Sequence, residues 1–170
     1  MTGERVLVAY ASKNGSTSAI AGMVAEALRE QGLAVEVLAV SEVDGVGSYH
    51  AVILGSALYA GRWRPEAVRF ARHHRADLAE RPVWLFSSGP LDATAGELVL
   101  PPVAGVQRIA DRLKVRGHVT FGGCLQDGAR GWIARMIVKS GRGGDFRDPE
   151  RIRLWAHGVA RELTREPATP

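Results

Sequence analysis

The sequence contains a single cysteine and no apolar run long enough to cross a membrane. Cys124 stands alone among 170 residues, so the chain can form neither an internal disulfide nor a metal site built from several cysteines. We expect Cys124 in the core and predict no metal, so redox chemistry would need a bound organic cofactor. The first apolar run, Val6–Ala9, has the length of a strand, and nothing after Met1 resembles a signal peptide. These absences favour a cytoplasmic protein in a reducing compartment.

The two common nucleotide-binding motifs are also missing. No Gly-Lys-Ser/Thr follows the first predicted strand at the spacing of a Walker loop, and Gly15 is alone where Gly-x-Gly-x-x-Gly needs three glycines. Nucleoside triphosphates and dinucleotides are therefore poor candidates for the ligand.

Positive charge is in excess, with a net charge of +4 and a pI of about 9.7. Such a balance attracts nucleic acid, an anionic membrane surface or an anionic ligand. The chain has no zinc-finger spacing, no helix-turn-helix pattern and no basic stripe studded with aromatic residues. We predict no nucleic-acid partner, whereas an anionic ligand and peripheral contact with the inner face of the membrane stay open.

Strands alternate with helices along the chain. Val6–Tyr10 is apolar without interruption, as in a strand buried on both faces of a parallel sheet. The other predicted strands span 35–40, 50–55, 83–87 and 118–124; the predicted helices begin at Ser16 or Thr17 and at Pro65, or span 106–113, 132–139 and 149–164. This order predicts an α/β fold, a doubly wound parallel sheet of five strands in three layers. We expect one domain over residues 1–170, with a frayed tail from about residue 165.

Polar and flexible residues follow the first, third and fourth strands, at the edge where doubly wound sheets bind ligands. The first loop contains Ser12, Lys13, Asn14, Gly15, Ser16 and Thr17. The second contains Ala57, Leu58, Tyr59, Ala60 and Gly61, and the third Ser88, Gly89 and Pro90. Hydroxyls, an amide, a cation and a helix N-terminus meet in the first loop, and these groups suit a phosphate.

The first loop resembles that of the flavodoxin family, in which a Thr-x-Thr-Gly-x-Thr pattern surrounds the phosphate of FMN. This chain keeps the glycine as Gly15 and the last threonine as Thr17, but has Ser12 and Asn14 in place of the first two threonines. The resemblance implies a flavodoxin-like fold with FMN as the cofactor. The second and third loops have residues suited to line the isoalloxazine ring, with Tyr59 either stacked on the ring or packed under its own loop. We expect Trp63 to cover the next helix.

Over nearly the whole chain, the sequence looks like the menaquinone-dependent protoporphyrinogen oxidase group of flavodoxin-like proteins. The segments that carry this resemblance are 55–61, 87–90, 121–125, 134–139, 143–148 and the last helix with Trp155. The resemblance implies an FMN enzyme of heme biosynthesis that oxidises protoporphyrinogen IX and passes electrons to a quinone. The chain departs from the group at Gln126–Arg130, which lacks the tyrosines of the porphyrin-oxidising members.

Three functions therefore remain open. The first is an FMN-dependent oxidoreductase acting on a small-molecule substrate or quinone, and the second is a flavodoxin-type protein that passes electrons to a redox partner protein. The third is a flavodoxin-like interaction module without flavin. The catalytic residues are unknown, because we expect none of His50, His73 and His74 to act as a general base. Segment 131–139 mixes apolar residues with two cations and is a candidate for contact with a membrane surface.

Overall fold

A computed structural model describes residues 5–12, 15–89, 102–122, 124–125, 144–145 and 148–165. Its strands are β1 (Arg5–Ala11), β2 (Ala34–Ala39), β3 (Ala51–Tyr59), β4 (Arg62–Trp63), β5 (Val83–Ser88), β6 (Gly117–Phe121), β7 (Cys124–Leu125) and β8 (Gly144–Asp145). Its helices are α1 (Ser16–Glu30), α2 (Pro65–His73), α3 (Arg75–Ala79), α4 (Ala104–Leu113) and α5 (Pro149–Arg165), with a short 3₁₀ turn at Val40–Glu42.

Five strands form a parallel sheet in the order β2-β1-β3-β5-β6. The chain winds from β1 outward to β2, then crosses back over β1 to β3 and continues to β5 and β6. The order reverses between β1 and β3, and a crevice opens at the carboxyl ends of the strands at such a switch point. Two short pairs lie outside this order: β4 is antiparallel to the end of β3, and β7 is antiparallel to β8.

Helices cover the sheet on both faces, because the side chains of β1 alternate between two cores. Val6 and Val8 point into a core shared with α1 and α5, whereas Leu7 and Ala9 point into a core shared with α2, α3 and α4. All four side chains are fully buried. The predicted doubly wound five-stranded α/β fold in three layers is therefore confirmed.

The third strand is longer than predicted. The sequence pattern predicts the end of this strand at Gly55 and a loop at Ala57, Leu58 and Tyr59, but β3 continues to Tyr59. The extension is possible because β4 turns back and pairs with it, Leu58 opposite Trp63 and Tyr59 opposite Arg62. β4 thus gives the backbone of Leu58 and Tyr59 a hydrogen-bonding partner. The pattern of parallel strands in the sequence does not predict this antiparallel partner.

The fifth strand is shorter than predicted, since β6 ends at Phe121 and Cys124 belongs to the separate β7–β8 pair. The helix that begins at Pro65 ends at His73, and α3 follows after His74. The inward positions were nevertheless correct: Phe70, Ala71, His74 and Leu78 are buried and Val68 is partly buried. A buried side chain at the junction keeps both short helices against the same core.

The last helix agrees with prediction. The Arg151 N–H donates to the Asp148 side chain at the start of α5, 3.2 Å from nitrogen to oxygen. Its apolar face packs on β6 and α1, where Trp155 meets Phe121 edge to face at 5.7 Å between ring centroids. The predicted helix at 132–139 and the tail after residue 165 lie outside the described residues. Within the described part of the chain, no helix has the length and apolar character needed to span a membrane.

Candidate functional site

The loop after β1 is shaped by one glycine. Gly15 has φ +85°, in the left-handed region that side chains with a Cβ rarely adopt, and its N–H donates to Ser12 Oγ at 3.0 Å. α1 then begins at Ser16, with Gly15 as the residue that caps it. The predicted cap at Ser16 or Thr17 was wrong, because both residues lie inside the first turn. The turn therefore presents the amide end of a helix of 15 residues, which favours an anion.

Thr17 is the most informative residue of this turn. Its side chain is fully buried, and its hydroxyl makes no hydrogen bond to any described residue. A buried hydroxyl without a partner costs roughly 1–3 kcal/mol. The first turn of α1 thus contains a donor that a bound anion would satisfy, so the residues present fit the phosphate of FMN. Lys13 and Asn14 lie outside the described residues.

The second predicted loop is a hairpin. Ala60 and Gly61 form its tip with φ +51° and +72°, and two successive positive φ values are the mark of a tight two-residue hairpin turn. Tyr59 lies directly before the tip and is partly buried, as is Leu58, whereas Ala57 is buried in the sheet. The hairpin therefore holds Tyr59 at the end of β3 by strand pairing.

The hydroxyl of Ser56 ties this hairpin to the sheet. It accepts a hydrogen bond from the Arg64 N–H and donates one to the Ala57 carbonyl oxygen, each 3.0 Å long. Ser56 is fully buried, so these bonds are shielded from water. The connection between β4 and α2 is thereby fixed to the end of β3.

The third predicted loop begins beside the hairpin. Ser88 ends β5 opposite Ala57, and Gly89 follows with φ +129°. A Cβ at Gly89 would lie 3.5 Å from Leu58 Cβ, which shows how closely the two segments approach. The Gly89 N–H already donates to the Phe121 carbonyl oxygen at 2.8 Å, so this amide is engaged within the sheet. Pro90 lies outside the described residues.

Strand pairing brings the three segments to one edge of the sheet. Ala11, one residue before Ser12, is paired with Ser56, and Ala57 is paired with Ser88. The described members of the three predicted groups thus lie along the carboxyl ends of three neighbouring strands. Their role in binding the cofactor remains a prediction.

A buried polar chain behind this edge was not predicted from the sequence. The Trp63 indole N–H donates to Ser87 Oγ at 2.8 Å, and Ser87 Oγ lies 3.0 Å from Nε2 of His118. Burial lowers the pKa of His118 to about 4, so the ring is neutral at pH 7. Trp63 is buried in the core with α2, as predicted from the sequence. The chain links β4, β5 and β6 directly behind the hairpin, and residues so far apart in sequence give no local signal.

None of the three histidines considered as bases gains a role at this edge. His74 is buried against Phe70 at 4.6 Å between ring centroids, and burial lowers its pKa, with the charge of His73 adding to the effect. His73 is exposed on α2, and His50 precedes β3 at the opposite edge of the sheet. Among the described residues, no group of three or more His, Cys, Asp or Glu side chains could hold a metal ion.

A family described as "Flavodoxin domain" matches residues 7–141. No curated protein sequence shows significant similarity. Similar solved structures include a flavodoxin from the domain Archaea, with 12% identity, a TM-score of 0.64 and coverage of 94% of this chain and 99% of that one. Oxidised flavodoxin 1 from Bacillus cereus has 16% identity and a TM-score of 0.63, with coverage of 94% and 99%.

A larger protein contains a similar unit. Rubredoxin oxygen:oxidoreductase from Desulfovibrio gigas matches with 16% identity and a TM-score of 0.64, over 97% of this chain and 37% of that one. At these identities the structural matches establish the fold alone.

Proposed function

This chain belongs to the flavodoxin domain family and takes FMN as its cofactor, and we propose from this premise that it carries electrons between redox partner proteins. FMN supplies reversible uptake of electrons and protons on its ring. The chain's part is to bind the phosphate, hold the ring at the sheet edge and leave one side of the ring open to a partner.

The buried hydroxyl of Thr17 is the observation that carries the proposal. Thr17, Ser12 and the amides of the first turn of α1 hold the phosphate, and Ser16, Lys13 and Asn14 complete the loop. The positive end of α1 and a cation at position 13 both favour a dianion over a neutral ligand. This donor set supports FMN over riboflavin, because the phosphate provides a large share of the binding energy.

The hairpin and the Gly89 segment form the walls for the ring. Tyr59 stacks on the ring, and Ala57, Leu58, Ala60 and Gly61 place backbone groups along it. On the other side, Ser88, Gly89 and Pro90 approach its polar edge, where Gly89 leaves room because it has no side chain. The Ser56 bonds and the chain from Trp63 to His118 support this reading, since they hold both walls in place before a ligand arrives.

Oxidation of protoporphyrinogen has weaker support than electron transfer. The matching family is described by its flavodoxin domain, and the chain departs from the porphyrin-oxidising members at Gln126–Arg130. Heme biosynthesis, a quinone acceptor and contact with a membrane surface likewise have no observation in their favour. We therefore prefer the electron-transfer alternative to the enzyme.

The test is electron uptake without substrate turnover. Protein loaded with FMN should accept electrons from a reduced flavodoxin reductase and pass them to a second protein, as measured by stopped-flow absorption of the flavin. Incubation with protoporphyrinogen IX and a menaquinone analogue should give no steady-state porphyrin formation above the rate of free FMN. Rapid quinone-dependent turnover would overturn the proposal in favour of the enzyme.

A further inference from the structure

Positive charge is concentrated on one of the two helical layers. Residues 40–50, 60–81 and 104–116, which form the 3₁₀ turn, β4 and the helices α2, α3 and α4, contain ten Lys and Arg against six Asp and Glu. The opposite layer, α1 and α5, contains five Arg against four Glu. The two layers therefore differ by three charges, an excess of four on one and of one on the other.

The cations of this layer are on its surface. The basic face consists of the exposed residues Arg62, Arg69, Arg72, Arg108 and Arg112. Glu66 pairs with Arg64 at 3.0 Å, whereas Asp77, Glu80 and Asp111 are exposed acids of the same layer. The described surface of this layer nevertheless carries a net positive charge.

The basic face borders the candidate flavin site. Arg62 follows the hairpin tip and is paired with Tyr59. α2 and α4 both begin at the carboxyl edge of the sheet, and a rise of 1.5 Å per residue puts Arg69 and Arg108 about 6 Å along their helices. The positive ends of both helix dipoles point to the same edge. A charged molecule that approaches this edge therefore meets positive potential on the side of α2 and α4.

We propose that the basic face is the docking surface for an acidic redox protein, which delivers electrons to the flavin across the hairpin edge. This inference rests on the proposed function. Complementary charge raises association rates and selects partners, and its effect reaches about one Debye length, roughly 8–10 Å at physiological salt. A protein partner is favoured over nucleic acid or a lipid surface because the cations lie beside the redox site. Electron transfer requires the metal centre or flavin of a partner protein to come close to this site.

The experiment mixes the oxidised, FMN-loaded protein with a reduced plant-type ferredoxin, a small acidic iron–sulfur protein. One electron leaves the iron–sulfur cluster and enters the flavin, and stopped-flow absorption follows both. The variant pair Arg69→Glu with Arg108→Glu reverses charge on the basic face. The matched control, Arg161→Glu with Arg165→Glu, makes the same change in charge at the far end of α5. Bleaching by dithionite and the flavin spectrum show that each variant is folded and loaded.

We expect the second-order rate constant of the wild type to fall at least tenfold between 20 and 300 mM salt. At low salt the basic-face variant should be about tenfold slower than the wild type, and the α5 variant within a factor of two. Equal effects of the two variants, or a rate independent of salt, would refute the docking surface while leaving electron transfer intact. If ferredoxin transfers no electron at any salt concentration, the result contradicts the proposed electron-transfer function itself and not only the docking surface. Tighter, basic-face-dependent binding to duplex DNA or to vesicles of anionic lipid than to ferredoxin would also overturn the assignment.

Discussion

Gly15 and Thr17 determine the turn after β1 in different ways. Gly15 supplies a backbone conformation with φ +85°, and Thr17 supplies a buried hydroxyl that no described residue satisfies. Gly15 lets the chain bend back so that its N–H reaches Ser12. The hydroxyl of Thr17 lacks a hydrogen-bond partner in the protein without ligand. A ligand site needs a hydrogen-bonding group that the protein alone leaves unpaired, because the ligand can then form the missing hydrogen bond.

Replacing Thr17 by valine should therefore separate stability from binding. Valine keeps the shape and removes the hydroxyl, so the protein without FMN should be as stable as the wild type or more stable by about 1 kcal/mol in urea unfolding. Affinity for FMN should fall about tenfold, because a hydrogen bond to a charged acceptor is lost, whereas affinity for riboflavin should not change. Thr164→Val removes an exposed hydroxyl on α5 and serves as the control. A T17V protein that binds FMN as tightly as the wild type would exclude the hydroxyl from the site.

His118 should make the folded state sensitive to acid. Its pKa is lowered to about 4 by burial, below the value of 6.5 in an unfolded chain. The unfolded state therefore binds the proton first as the pH falls, and stability that is present above pH 6.5 is lost between about pH 6.5 and 4. A shift of this size corresponds to at most about 3 kcal/mol, and partial exposure of the ring reduces this to about 2 kcal/mol.

Urea unfolding of wild type and His118→Gln at pH 7.5 and pH 5 measures this contribution. The difference in unfolding free energy between the two pH values should be smaller in the variant. His118 is not a source of acid sensitivity if both proteins lose the same stability between the two pH values.

At the scale of elements, the position of β3 controls the site, because its end supplies Ala57, Leu58 and Tyr59. The ring of Phe86 on β5 can lie across β3 because residue 55 is glycine, and a Cβ at residue 55 would overlap that ring. Phe86 in turn contacts Phe121 at 6.1 Å between centroids, and Phe121 contacts Trp155. One glycine thus connects the strand that bears Tyr59 to a line of aromatic rings that extends to α5.

Gly55→Ala should be strongly destabilising, by about 3 kcal/mol in thermal or urea unfolding, because the ring has to move in a packed core. The matched control is Gly45→Ala, where an added Cβ has open space. The second substitution Phe86→Leu should recover part of the loss in the Gly55→Ala background. Equal stability of the Gly55 and Gly45 variants would contradict this packing.

The same elements show how far the sequence determines the structure. Continuous apolar runs predicted β1 and β5 within one or two residues, because strands buried on both faces tolerate few polar residues. The end of β3 was misplaced because its extension depends on β4, a partner of two residues with no pattern of its own. The break at His74 was missed for a similar reason: both short helices continue the same apolar periodicity.

At the scale of the whole molecule, the fold brings together three segments that are far apart in the sequence. The described members of these segments were predicted from local chemistry and from resemblance, and the sheet order puts them at one edge, while their role in binding stays a prediction. The chain from Trp63 through Ser87 to His118 was beyond prediction, because its members are 24 and 31 residues apart. The unequal charge of the two helical layers also becomes visible only when the layers are known.

The central claim is that the turn from Ser12 to Thr17 holds the phosphate of FMN. The most direct test is titration of the protein freed of flavin with FMN and with riboflavin, followed by quenching of flavin fluorescence under identical conditions. The two ligands share the ring and differ by the phosphate, so their ratio isolates the turn. We predict that FMN binds at least a hundredfold more tightly, equivalent to about 2.7 kcal/mol. Equal affinity for the two ligands would contradict the account.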